Sequence, residues 1–130
     1  MAKILVVDDE FGVGELLREV LDEEGHAVRL AINGRQGLEQ MAVERPDVVI
    51  LDFMMPVLNG GDVLKAMRED PKLADIPVIV TSSLPEATVA ERAPGYTAFV
   101  RKPYQIGTIV ARVAAALDTG PRESGPRGAD

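Results

Sequence analysis

Short apolar runs alternate with longer amphipathic stretches along this chain. The runs are KILVV (3–7), AVRLA (27–31), DVVIL (47–51), PVIVT (77–81) and TAFVR (97–101). The first, third and fourth are rich in Val, Ile and Leu without polar alternation. That pattern marks strands covered on both faces, and hence a parallel sheet. AVRLA and TAFVR are less pure and suit the sheet edges. Between the runs, apolar residues recur at helical spacing. Leu16, Leu17, Val20 and Leu21 do so in 14–24, and Gly25 follows where a C-terminal cap glycine belongs. Leu38, Met41 and Ala42 mark 34–45, with Asn33 as N-cap and Pro46 beyond the end. Val63, Leu64 and Met67 mark 61–69. Ile106, Ile109, Val110, Val113 and Leu117 mark 105–117. Segment 85–93 is the weakest, flanked by Pro85 and Pro94, with little apolar periodicity. Strand-then-helix thus repeats five times, which predicts an open α/β sheet with helices on both faces.

Composition narrows the class. The 130 residues suit one domain. The stretch TGPRESGPRGAD (119–130) has no large apolar side chain, so 1–118 is the expected domain and 119–130 a disordered tail. Apolar residues make up 46% of the chain and aromatics only 4%, so the core is aliphatic. A net charge of −7 argues against direct binding to nucleic acid or anionic membranes. With no cysteine, thiol catalysis and zinc–thiolate sites are excluded. MAKILVVDDE has too short an apolar run for a signal peptide, and no run is long enough to span a bilayer. The expectation is a cytoplasmic protein.

In open parallel sheets, sites form beyond the carboxyl ends of the strands, where the strand order reverses. The first run ends at Val7 and delivers Asp8, Asp9 and Glu10; the third ends at Leu51 and delivers Asp52. The fourth delivers Ser82 and Ser83, and the fifth Arg101, Lys102 and Pro103. If the first and third strands are neighbours, Asp8, Asp9 and Asp52 share one pocket, flanked by hydroxyls and a cation. Three close carboxylates repel one another unless a cation joins them. All-oxygen ligands suit a hard ion, Mg²⁺ (or Mn²⁺). Lys102 and a hydroxyl opposite complete a cradle for a phosphoryl group, with Asp52 as its nucleophile. Taken singly, each feature has an ordinary reading as a cap, turn or loop residue. Their placement at four strand ends of one sheet is what points to chemistry.

The segments VVDDE, LDFMMPVLNGG, PVIVTSS and FVRKPY together resemble the receiver domains of two-component response regulators, over about residues 1–118. The resemblance implies a flavodoxin-like, five-stranded parallel sheet of order 2-1-3-4-5. It implies that Asp52 accepts a phosphoryl group from a sensor histidine kinase or a histidine phosphotransfer protein. Mg²⁺ would be held by Asp9, Asp52 and the Met54 carbonyl, with Asp8 acting directly or through water. Lys102 would pair with the phosphoryl oxygens, ahead of a cis bond to Pro103. Ser82 would be the switch hydroxyl, Thr81 being the less favoured choice, and Phe99 the switch aromatic. Met54 and Leu84 stand at the positions that modulate hydrolysis; neither side chain can orient water, so the phosphoryl group is expected to be long-lived. The protein would be a signalling phosphoacceptor acting on an unidentified downstream protein, not an enzyme beyond self-catalysed phosphotransfer and slow autodephosphorylation.

Some features depart from the usual pattern. Only 20 residues separate Ser82 from Lys102, so the fourth helix must be short, at most about two turns. Ser83 stands where Ala is usual, and Gly12 and Gly14 lie early in the first helix. Two other readings compete. One is a receiver-like interaction module without phosphotransfer. The other is a phosphohydrolase, which would want an acid two residues after its nucleophile, where this chain has Met54. No GxxxxGK motif is present for a nucleotide, and lone His26 reads as a loop residue.

Overall fold

The computed structural model describes residues 2–118. The expected tail at 119–130 lies outside the described residues. Five strands alternate with five helices: β1 (Lys3–Val7), α1 (Phe11–Glu23), β2 (Ala27–Ala31), α2 (Gly34–Val43), β3 (Val48–Asp52), α3 (Gly60–Glu69), β4 (Val78–Ser82), α4 (Glu86–Arg92), β5 (Ala98–Arg101) and α5 (Ile106–Asp118). All strand pairs are parallel, in the order β2-β1-β3-β4-β5.

Every residue of β3 and β4 is buried, as expected of uninterrupted Val/Ile runs at the sheet centre. The mixed runs β2 and β5 form the edges. Alternate strand residues feed two cores. Leu5, Val7, Val49, Leu51, Val78 and Val80 pack with α2, α3 and α4 through Met41, Val63, Leu64, Met67 and Val89. Ile4, Val6, Val48, Ile50, Ile79 and Val100 pack on the other face, against Leu17 and Leu21 of α1 and Ile109, Val113 and Ala116 of α5. This alternation fixes which face each strand-end side chain occupies.

Local signals explain most helix limits. Asn33 caps α2 by accepting from the Gln36 N–H. Gly25 follows α1 at φ +95°, a conformation that favours glycine. A capping box at Asn59 and Asp62 starts α3. There Gly60 donates to the Phe53 carbonyl at 2.8 Å, and a Cβ on it would lie 2.6 Å from the Phe53 Cα. Only glycine lets α3 close this tightly behind Asp52. Several element ends shift by one to three residues from the sequence reading, and those of α1, β3 and β4 bear on the site. α1 begins at Phe11, because Gly12 and Gly14 hid its first turn from the apolar pattern. β3 and β4 run one residue further, so Asp52 and Ser82 are the last residues of their strands rather than the first beyond them. α4 has seven residues, about two turns, and buries only Val89.

Candidate functional site

β1 lies second in the order, with β2 on one side and β3 on the other. The chain reverses direction across the sheet at this point, and the crevice beyond the carboxyl ends of β1 and β3 receives Asp8, Asp9 and Asp52. Carboxylate oxygens of the three lie within 4.8 Å of one another. Asp8 and Asp52 are buried, and Asp9 is exposed. The geometry thus pools an open acid and two desolvated ones.

Lys102 enters from the β5–α5 connection, just before a cis bond to Pro103. Its Nζ lies 3.3 Å from Asp8 Oδ2, 3.3 Å from Glu10 Oε1 and 3.6 Å from Asp52 Oδ2. Asp8 Oδ1 accepts from the Glu10 N–H at 2.9 Å, and Asp52 Oδ1 from the Met54 N–H at 3.4 Å. One cation among these acids leaves an excess of negative charge. Burial pushes the Asp52 carboxyl up to about 7; the Asp8 charge adds to this, and Lys102 and the Met54 N–H oppose it. Asp8 is raised mainly by burial, against its bonds to the Glu10 N–H and Lys102. For Lys102, burial favours the neutral amine, but the charges of Asp52 and Asp8 prevail and its pKa is raised. Three converging carboxylates with no nitrogen or sulfur donor fit a hard divalent cation such as Mg²⁺.

The other expected residues divide between the two sheet faces. Ser82 follows Val78 and Val80 onto the α4 face, and Phe99, in register with Val80, packs on that same face. The Phe99 ring sits 6.2 Å from that of Tyr96, whose hydroxyl donates to Glu86 of α4 at 2.6 Å. Ser82 and Phe99 therefore share a face, two residues apart in register. Ser82 Oγ accepts from the Leu84 N–H at 3.1 Å, and among the described residues it bonds neither Asp52 nor Lys102. Met54 and Leu84, far apart in sequence, line one cleft of about 510 Å³ with Phe53, Met55, Asn59 and Arg92. His26 is half-buried and accepts from the Ala2 N–H at 3.4 Å, so it is less free than its loop position suggests.

Three residues gain importance only in three dimensions. Glu10 was legible as an acid but not as a partner of Lys102. Tyr104 places its hydroxyl in a buried position with no hydrogen-bond partner among the described residues. Burial, then the Asp8 charge, pushes that hydroxyl up to about 12. Its signal in the sequence was a tyrosine two residues after Lys102. Thr81 Oγ1 is likewise buried without a partner.

The chain was compared with known proteins. It is 39% identical over 119 residues to the response regulator MprA of Mycolicibacterium vanbaalenii, covering 88% of this chain and 50% of that protein. A response regulator MprA of a Mycobacterium species (strain KMS) is 37% identical over 128 residues, 95% of this chain and 54% of that protein. The chain thus spans about half the length of these curated relatives. Among solved structures, the signal receiver domain of a signal transduction histidine kinase from Syntrophus aciditrophicus superposes with a TM-score of 0.86 at 28% identity, covering 96% of each chain. The Vibrio cholerae chemotaxis protein CheY4 superposes at 0.82 and 30% identity, covering 90% of this chain and 99% of that one. Residues 4–114 match the family described as the response regulator receiver domain. That match covers most of the chain and falls on the sheet whose crevice gathers Asp8, Asp9, Asp52 and Lys102, and the chain belongs to this family.

Proposed function

We propose that this domain takes a phosphoryl group onto Asp52 from a phosphohistidine of a sensor histidine kinase or histidine phosphotransfer protein, in a Mg²⁺-dependent reaction. The observation that carries this reading is the buried Asp52 carboxylate held between two further acids and Lys102 at the strand-order reversal. An Asp52 oxygen attacks phosphorus, the O–P bond forms, and the P–N bond to the donor imidazole breaks with its electron pair returning to nitrogen. Asp9, Asp52 and the Met54 carbonyl would hold the ion, with Asp8 acting directly or through water, and the ion would there offset the carboxylate repulsion and draw charge from the phosphoryl oxygens. Lys102 supplies the second positive contact.

The acyl phosphate adds about −1.5 to −2 charges at neutral pH. Ser82 lies at the end of the strand beside Asp52 and can turn from the Leu84 N–H toward this charge. Phe99 shares its face and can follow, drawing on the Tyr96–Glu86 link to α4. Contacts with a downstream protein then change at α4 and β5. Met54 and Leu84 line one cleft next to Phe53, the residue after Asp52, and neither side chain can orient water, which favours a long-lived state. Domain 1–118 would act in the cytoplasm as a signalling phosphoacceptor. Among the described residues no helix is long and apolar enough to cross a membrane.

Intact-mass spectrometry after incubation with Mg²⁺ and acetyl phosphate tests the assignment. One phosphoryl group is expected on wild type and none on Asp52→Asn. Equal incorporation by both would remove Asp52 from the reaction, and none in either would favour an interaction module without phosphotransfer.

A further inference from the structure

Thr81 is the penultimate residue of β4 and pairs in register with Asp52 of β3. Neighbouring strands lie about 4.8 Å apart, so the two side chains are direct neighbours if they share a face. They do. Asp52 follows Val48 and Ile50, and Thr81 follows Ile79, all on the face covered by α1 and α5. Ser82, the next residue, belongs to the opposite face. Both Thr81 and Asp52 are almost fully buried, at 1% and 4% exposure.

Their hydrogen-bonding needs are complementary. Thr81 Oγ1 is buried without a partner among the described residues. Its donor has nothing to bond, and such a group costs free energy. An ionised carboxylate offers about four acceptor sites. Asp52 fills them with two long contacts, the Met54 N–H at 3.4 Å and Lys102 Nζ at 3.6 Å. A donor lacking an acceptor thus stands in register beside an acceptor with spare capacity, on one face, out of bulk water. A valine would fill this site with similar volume and no unsatisfied hydroxyl, so packing alone does not account for threonine.

We propose that Thr81 is a positioning residue for the phosphoacceptor: its hydroxyl donates to the Asp52 carboxylate, directly or through one water, and fixes the rotamer in which one oxygen faces the cation site and Lys102 while the other is free to attack phosphorus. The proposal rests on the phosphoacceptor reading above. It gives the two adjacent hydroxyls separate tasks. Ser82, on the α4 face, reports the phosphoryl group, whereas Thr81 prepares the carboxylate before the group arrives.

The test compares Thr81→Val, which keeps the shape, with Thr81→Ser, which keeps the hydroxyl. Two properties are measured: the rate of Asp52 phosphorylation by acetyl phosphate with Mg²⁺, and the side-chain carboxyl ¹³C resonance of Asp52, assigned by its loss in Asp52→Asn. Thr81→Val is expected to slow phosphorylation about tenfold, the equivalent of one modest hydrogen bond, and to shift the resonance. Thr81→Ser should stay near wild type in both. If Thr81→Val fails to fold, Thr81→Ala against Thr81→Ser makes the same comparison. A wild-type rate and an unmoved resonance in the hydroxyl-free variant would overturn the proposal; a raised thermal midpoint beside them would show a hydroxyl that bonds nothing. If wild type itself takes up no phosphoryl group, the phosphoacceptor reading falls, and the resonance alone decides for or against the bond.

Discussion

The two ends of the sheet obey opposite rules. At the amino end, charge serves to satisfy backbone. Arg68, near the end of α3, donates to the Gly95 carbonyl from Nε at 3.1 Å and from Nη2 at 2.7 Å, and its Nη1 reaches the carbonyls of Ala74 and Ile76, each at 3.0 Å. One guanidinium thus fastens the entries to both β4 and β5. Arg29 bonds the carbonyls of Gln40 and Glu44 at the end of α2, and Asp47 accepts from the Lys3 N–H at 2.8 Å. At the carboxyl end, like charges are crowded, two hydroxyls stand buried without partners among the described residues, and one lysine serves three acids. The lesson is a division of labour: one end supplies stability that the other spends on a reactive arrangement.

The largest test of this division is Arg68→Ala. Losing four hydrogen bonds to backbone carbonyls should cost on the order of 4 kcal/mol in denaturant unfolding. The initial rate of Asp52 phosphorylation, measured well below the midpoint, should hardly change. A parallel loss of rate would show that the two ends are not separable.

Next in size is the pH response without metal. In the folded state burial pushes the Asp52 carboxyl from the ordinary carboxylate range up to about 7. Through that window the unfolded chain binds fewer protons than the folded one, so stability falls as pH rises from about 4 to 7 and stays low above. Asp8 is raised too and acts in the same direction. The raised Lys102 gives stability that is lost only in the alkaline range, as pH climbs through its folded pKa. In EDTA, wild type should therefore lose on the order of 3 kcal/mol between pH 4.5 and 7.5. Asp52→Asn should flatten most of that slope. Saturating Mg²⁺ should restore the loss at pH 7.5 by binding the native state. A flat profile in metal-free wild type would contradict the crowding of acids.

The smallest concerns strain at the same end. Val57 holds φ at +70° in the loop after Asp52, and Leu58 N–H bonds the Pro56 carbonyl at 2.7 Å in a γ-turn. A β-branched residue is strained there, and with 87% exposure it gains no packing in return. Val57→Gly should stabilise the domain by up to about 1 kcal/mol, the relief exceeding the entropy cost of glycine. A lower thermal midpoint would place no strain in this turn.

The sequence made the amino end and the carboxyl end unequally legible. Central strands were plain because continuous Val/Ile runs have few other uses, and the acids at their tips could be grouped once β1 and β3 were taken as neighbours. Ser82 and Phe99 took their switch roles from the resemblance to receiver domains. By contrast, nothing in the sequence marks Arg68, since its carbonyl partners lie up to 27 residues away along the chain. Thr81 was overshadowed by Ser82, because adjacent hydroxyls are told apart only when the register assigns each to a face. The apolar stripe of α1 marks only 14–24, because Gly12 and Gly14 interrupt its first turn. What stayed hidden is what depends on partners distant along the chain.

Tyr96 and Tyr104 are the only tyrosines, and the chain has no tryptophan. One ring is tied to α4 through Glu86; the other has its hydroxyl buried beside the acid pocket, bonded to nothing among the described residues. Near-ultraviolet emission of the unlabelled protein therefore comes from two places alone. On the phosphoacceptor reading proposed above, Tyr96→Phe would leave a signal from beside the acid pocket and Tyr104→Phe one from the ring bonded to α4. The domain would then carry its own pair of optical probes, and the delay between their responses would time the passage of a signal across the sheet.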